Sequence, residues 1–246
     1  MYPVQSKTGI KEGGSLSKEP GVRKMFDAIA GRYDLMNRVM TMGQDQKWRH
    51  FVVAKAGDPQ GGLCLDLATG TGDIGALMMK TYSGARVVGA DFSWNMLQEA
   101  KKRFGNSGIR WQACDANRLP FADNTFRSVT FGYLLRNVDN AELVLREVHR
   151  VLMPGGRVVC LDTTPPEKNF LYPFIRCYLK YGIPVLGKMI ARDEAAYAYL
   201  TGSTMGFYTA KELESIFIAA GFSRVSSKKF MFGTIGVHWG EKPAYS

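Results

Sequence analysis

The stretch LCLDLATGTGD, Leu63 to Asp73, constrains this chain more than any other. A short apolar run breaks into Gly70, Gly72 and then Gly75, with helix-forming residues following at once. Glycines so placed let the backbone turn sharply and let a ligand approach the main chain. The rhythm then repeats. Residues 62–68, 85–91, 109–115, 128–134 and 157–164 read as five apolar strands. Helices separate them: one from the glycine loop to about Tyr82, one over 93–104 with Ser93 as N-cap, and one over 141–152. Pro154-Gly155-Gly156 reads as the turn that introduces the fifth strand. A further helix is expected over 209–222, and two last strands over 223–230 and 234–242. Apolar strands alternating with helices predict an α/β fold with a mostly parallel sheet covered on both faces.

The segments outside this alternation are distinct in composition. Residues 1–20 are polar, lack an apolar signal core and read as a mobile tail ahead of a single domain over 21–246. Within it, residues 21–60 read as a helical lid. In YDLMNRVMTMGQDQKW, Tyr33 to Trp48, apolar residues recur at helical spacing until Gly43 ends the helix. Residues 165–206 break the strand–helix rhythm and are rich in Phe, Tyr, Leu and Ile, which suits an insert capping a substrate crevice. Core packing accounts for part of the Met-rich helix; a roof over a greasy ligand accounts for the rest.

A net charge of +10 invites an anionic surface, although the alternating part is nearly balanced and the excess lies in the flanks. The bland reading of such flanks is a solvated surface. Cys64, Cys114, Cys160 and Cys177 show no paired spacing, which argues against a zinc site or a disulfide framework and for a reducing cytoplasm. No stretch reads as membrane-spanning; even residues 170–190 carry Arg176, Lys180 and Lys188.

Gly70-Thr71-Gly72-Asp73-Ile74-Gly75 formally fits a dinucleotide fingerprint, with Asp91 closing the second strand. The acids argue otherwise. Asp66 ends the first strand, and Asp73 stands at a helix N-terminus where a carboxylate would repel a pyrophosphate. It suits a cationic, phosphate-free ligand, S-adenosylmethionine. Asp91 is placed to accept the ribose hydroxyls, and Asp115-Ala116 to meet the adenine edge. Singly, each acid could be a cap or a turn residue.

These residues, together with several others, resemble the C-methyltransferase family of menaquinone and ubiquinone biosynthesis. The resemblance runs from about Met25 to the last strand. It rests on Tyr33-Asp34-x-Met36-Asn37 with Gly43 and Trp48, on Leu65-Asp66-Leu67-Ala68 with the glycine loop, and on Leu119-Pro120-Phe121. Leu135-Arg136-Asn137-Val138 and Arg150-Val151-Leu152 before Pro154 complete it. It implies a Rossmann-like class I methyltransferase, seven strands with the last antiparallel, and a prenylated quinol as acceptor, demethylmenaquinol before a polyprenyl methoxybenzoquinol. The chain departs from the family at Asp45 (commonly His), Asp162 (usually Glu) and Gly132 (often Ser).

A quinol that loses a phenolic proton carries electron density on the neighbouring ring carbon, so the chemistry needs no metal. Arg136 and Asn137, at the end of the fourth strand, are candidates to stabilise the phenolate. The alternative for Arg136 is an ion pair or helix support. His238 is a candidate proton acceptor, set against a structural histidine, and Tyr33 a candidate hydroxyl partner. The expected donor site comprises Asp66, Gly70, Thr71, Gly72, Asp73, Asp91, Asp115, Ala116 and Gly132. Transient contact with an anionic membrane is expected and nucleic acid is not. The rivals are a methyltransferase for RNA or another small molecule, and a non-catalytic binding fold.

Overall fold

The computed structural model describes Gly21, residues 25–27, 33–166, Phe170, 172–182, Tyr199 and 202–244. The expected tail over 1–20, and most of the expected insert, lie outside these residues. Seven strands form one sheet: β1 (Leu63–Leu67), β2 (Arg86–Asp91), β3 (Arg110–Ala113), β4 (Phe126–Gly132), β5 (Leu152–Thr163), β6 (Ser223–Phe230) and β7 (Ile235–Glu241). Their spatial order is β3-β2-β1-β4-β5-β7-β6. β1 to β5 pair in parallel, whereas β7 runs antiparallel to both β5 and β6. Strand order reverses between β1 and β4, and in open α/β sheets ligands bind at the carboxyl ends beside such a reversal.

Helices cover both faces. On one, α1 (Tyr33–Met40) leads into α2 (Asp45–Ala56), and α3 (Asp73–Thr81) lies beside it. Trp48, Val52 and Ala56 recur every fourth residue on α2 and pack with Cys64, Val159, Leu161 and Val237. Burying side chains of this size stabilises by roughly 1.5–3 kcal/mol each. α4 (Trp94–Phe104) packs over β2 and β3, its N-cap Ser93 accepting from the Met96 amide at 3.1 Å. On the other face, α5 (Ala141–Val151) and α7 (Ala210–Ala219) enclose Phe126, Val144, Val148 and Phe217. A short α6 (Tyr172–Cys177) follows β5.

The polar run after Gly43 forms the first turn of α2, and Trp48 at its end is buried in the core. Gly43 closes α1, at φ 74° with its amide on the Arg38 carbonyl at 2.8 Å. Two expectations need correction. β4 stops at Gly132 instead of 134, because Tyr133 takes φ 60° and residues 135–137 wind into a 3-10 turn. Pro154-Gly155-Gly156 is a bulge inside β5: the pairing jumps from Phe126↔Leu152 to Ser128↔Arg157, with Gly155 at φ 73°.

Candidate active site

The glycine loop crosses the carboxyl end of β1. Beneath it, Asp66 Oδ2 accepts from the Thr69 hydroxyl at 2.6 Å and the Gly75 amide at 2.9 Å, and Oδ1 from the Thr130 hydroxyl at 3.2 Å. Burial raises its carboxyl to about 6 against these bonds. Both oxygens are engaged inward, so Asp66 shapes the loop from below. Gly72, at φ 91°, lies where a Cβ would meet Trp111 at 2.8 Å, which leaves glycine alone to fit.

Asp91 ends β2 and meets the loop from the side. Its Oδ2 accepts from the Gly70 amide at 2.8 Å and its Oδ1 from the Ser93 amide at 2.9 Å. Burial pushes this carboxyl up to about 6 as well. Asp91 lines one arm of a cleft with Gly70, Gly132, Tyr133 and Asn137. The other arm runs along Thr71, Asp73 and Arg49 and shares Gly70, Gly132 and Tyr133 with the first. A Cβ on Gly70 would meet no atom within 4 Å, so the loop opens onto space there. A buried carboxylate for a diol, a bare glycine wall and an acid at the far end fit S-adenosylmethionine.

Asp73 differs from expectation in its company. It sits between two guanidinium groups, Arg49 at 2.9 Å and Arg103 at 2.8 Å. Arg49 also pairs with Asp45 at 2.7 Å and Arg103 with Asp34 at 2.6 Å, while Asp34 accepts from the Thr71 hydroxyl. The departure at Asp45 thus has a structural role, holding Arg49 against Asp73. Asp115 is exposed, and its Oδ1 accepts from the amide and side chain of Asn117 at 2.8 and 2.9 Å. It and the half-buried Ala116 follow Cys114, whose amide donates to the Asp91 carbonyl at 3.0 Å. Burial and these two acids push the Cys114 thiol up to about 12.

A second, apolar cavity of about 380 Å³ adjoins the cleft. Its walls come from Asn37, Met40, Thr41 and Met42, from Phe174, Tyr178 and Leu179, and from Met231, Phe232 and Ile235. The Tyr178 hydroxyl donates to the Met40 carbonyl at 2.9 Å, joining the segment after β5 to α1. Tyr133 borders this cavity and both arms of the cleft. The Arg136 guanidinium lies 4.8 Å from the Tyr133 ring, lines the cavity and pairs with Asp162 at 2.7 Å. Arg136 and Asp162 are both buried, so the pair is part of the interior and not a surface ion pair. Asn137 faces the cleft; its side chain donates to the Tyr133 carbonyl at 2.6 Å and accepts from the Tyr199 hydroxyl at 3.2 Å.

The structure does not bring His238 to the cavity. Alternation along β7 sends Ile235 and Val237 to the α2 face, and His238 to the α7 face. There it is fully buried, with Nε2 3.1 Å from the Ala210 carbonyl oxygen, and burial lowers its pKa. Tyr33 opens α1, but its side chain lies outside the described part. Two residues at the site were missed by sequence reasoning. Tyr133 carried a signal, being an aromatic at the carboxyl end of a strand beside the switch point. Arg49 carried none beyond following Trp48.

The chain matches the ubiE/COQ5 methyltransferase family over residues 15–242. It is 72% identical over 227 residues to a ubiquinone/menaquinone biosynthesis C-methyltransferase of Desulfotalea psychrophila, covering 92% of each chain. It is 40% identical to a demethylmenaquinone methyltransferase of Thermus thermophilus, over 89% of this chain and 100% of that one. Its fold is that of a phosphoethanolamine N-methyltransferase from Haemonchus contortus in complex with S-adenosylmethionine, with TM-score 0.60, 15% identity, and 80% and 52% of the two chains covered. A methyltransferase from Aquifex aeolicus dependent on the same donor superposes with TM-score 0.56, 17% identity and coverage of 79% and 89%. The parallel sheet, the acid-lined glycine loop and the extent of the match agree: this chain belongs to the ubiE/COQ5 methyltransferase family.

Proposed function

We propose that the protein is an S-adenosylmethionine-dependent C-methyltransferase that methylates a ring carbon of a prenylated quinol, demethylmenaquinol first, in menaquinone biosynthesis. The observation that carries this is the shared wall. One residue, Tyr133, separates a cleft that carries Asp91, Asp73 and Arg49 and suits the donor from an apolar cavity suited to a flat ring and an isoprenoid tail. The names of the relatives point to the same acceptor.

The donor, when bound, supplies an electrophilic methyl group on a sulfonium. Asp91 would hold its ribose, Asp73 its charged amino-acid end, Gly70 and Gly132 would give it room, and Asp115-Ala116 would flank its adenine. On the acceptor side, Met40 and the buried Leu179 exclude water from the ring. Arg136 stabilises the phenolate that forms when the quinol loses a proton, and Asp162 keeps the guanidinium in place. Asn137 links the two sides through Tyr133.

Docking at an anionic bilayer belongs to the same reading. Met42, Phe174 and Phe232 line the cavity yet remain 76%, 74% and 69% exposed, and the chain carries +10. No helix among the described residues is long and apolar enough to cross a membrane. A cytoplasmic enzyme collecting its substrate from the inner face fits these features.

Oxidation removes both the ionisable hydroxyl and the nucleophilic carbon, so only the reduced ring can react. Labelled donor incubated with demethylmenaquinone should yield product with a reductant and none without it. A polyprenyl methoxybenzoquinol arm assigns the ring, and total RNA serves as control. Equal labelling with and without reductant, or labelling of RNA alone, would refute the proposal.

A further inference from the structure

The donor cleft has two unlike ends. Asp91 closes one, and the other holds opposite charges side by side, with Arg49 Nη1 2.9 Å from Asp73 Oδ2. S-adenosylmethionine is built the same way, with a ribose diol at one end and a zwitterion of ammonium and carboxylate at the other. Once Asp91 takes the diol, the amino-acid group lies against Arg49 and Asp73.

We infer that Arg49 binds the carboxylate of the donor's amino-acid end while Asp73 meets its ammonium, which makes α2 part of the donor site. The inference rests on reading the cleft as a methyl-donor site and adds to it a residue from outside the glycine loop. Arg49 is placed for this. Its helix is fixed to the sheet by Trp48, Val52 and Val53, its side chain is only 8% exposed, and Asp45 holds the guanidinium at 2.7 Å. A planar guanidinium matches a carboxylate better than any other side chain. The charge also balances. Asp34, Asp45 and Asp73 against Arg49 and Arg103 leave one negative charge in this cluster. The donor, with a sulfonium, an ammonium and a carboxylate, carries one positive charge.

Isothermal titration calorimetry tests this without turnover, using S-adenosylhomocysteine and its decarboxylated analogue, which differ only in the carboxylate. The wild-type protein should bind the decarboxylated compound about 10-fold or more weakly. Arg49→Gln should weaken S-adenosylhomocysteine by a similar factor and bring the two ligands within about threefold of each other. Arg49→Lys should keep part of the gap. Equal binding of both ligands by the wild type would overturn the inference and leave the donor cleft standing. So would an Arg49→Gln protein that loses both ligands equally, since Arg49 would then only brace the ion network. No binding of S-adenosylhomocysteine at all would bring down the donor-cleft reading as well. If Arg49→Gln fails to fold, the wild-type pair and Arg49→Lys decide.

Discussion

The donor cleft and the apolar cavity share a wall but are built by opposite means. The cleft is made at the carboxyl ends of β1, β2 and β4, where Asp91 is held by the amides of Gly70 and Ser93, although Asp73 at its other end is held by Arg49 and Arg103. The cavity is assembled from side chains of α1, the segment after β5 and the turn before β7, far apart in sequence. Its principal charged group is Arg136, fixed to Asp162. A site held by main chain survives most substitutions around it. A site held by packing can change its ligand while the fold stays the same.

Arg136 joins the two constructions, so its removal should have the largest effect. Arg136→Ala leaves Asp162 buried and unpaired, which costs about 3–5 kcal/mol of stability. Turnover should fall by about 100-fold, the effect of removing one hydrogen-bond donor from a developing anion. Pairing Arg136→Met with Asp162→Asn should recover most of the stability in urea titrations but none of the turnover. Recovery of both would show that the pair serves the interior alone.

On the donor side, Asp91→Ala should weaken donor binding by roughly 1.5–3 kcal/mol for each charged hydrogen bond removed. Its pH dependence separates the cleft from the cavity. Burial raises the Asp91 carboxyl from 3.8 to about 6, and Asp66 shifts in the same direction. Both bind a proton more tightly folded than unfolded. Their contribution to stability is therefore fully present below the unfolded value and is lost as pH rises through about 6. Donor affinity follows the opposite course, because the ribose hydroxyls need the charged Asp91. Calorimetry should show binding about tenfold weaker at pH 5 than above pH 7, and Asp91→Asn should flatten that slope. An unchanged slope in Asp91→Asn would move the titration to another group.

The same contrast explains what could be read in advance. Strands β1 to β5, the Ser93 cap and the acids Asp66, Asp73 and Asp91 follow from local pattern, since period and capping act within a few residues. Arg136 and Asn137 were found through a motif, yet the partner Asp162 lies 26 residues away on β5 and only the sheet brings them together. Arg49 and Tyr133 depend on how α2 and the end of β4 meet the loop. His238 was misplaced because one step of strand register decides which face a side chain takes. Where tertiary contact alone makes a site, sequence pattern is silent.

Met36 in the opening helix and Met42 in the turn that follows it sharpen the division. Met36 is 1% exposed and Met42 76%, although both looked alike in the sequence. Met36→Asp buries a charge and should cost more than about 4 kcal/mol, which thermal unfolding will show. Met42→Asp should change stability by no more than about 0.5 kcal/mol. It should instead raise KM several-fold for a long-tailed quinol, since each methylene no longer buried costs about 0.8 kcal/mol. A tail-less analogue should be unaffected. Equal impairment with both acceptors would assign Met42 to ring binding.

The smallest effect concerns the cavity's outer rim, where the apolar construction meets solvent. Phe174 and Phe232 line the cavity and are largely exposed, so their outer edges are free to enter the headgroup region of a bilayer. Aromatic rims hold weakly alone, and the excess of positive charge must help. That charge acts over about 10 Å at 0.1 M salt and about 3 Å at 1 M. Flotation with vesicles rich in anionic lipid should therefore recover the protein at low salt and leave most of it behind at high salt. Phe174→Ala with Phe232→Ala should reduce recovery at low salt, because the charges remain while the apolar edges are gone. Donor affinity in that variant should match the wild type, since neither phenylalanine borders the two arms of the cleft. Flotation that ignores both salt and the two substitutions would place membrane contact elsewhere, and the open rim would then serve only to admit the isoprenoid tail.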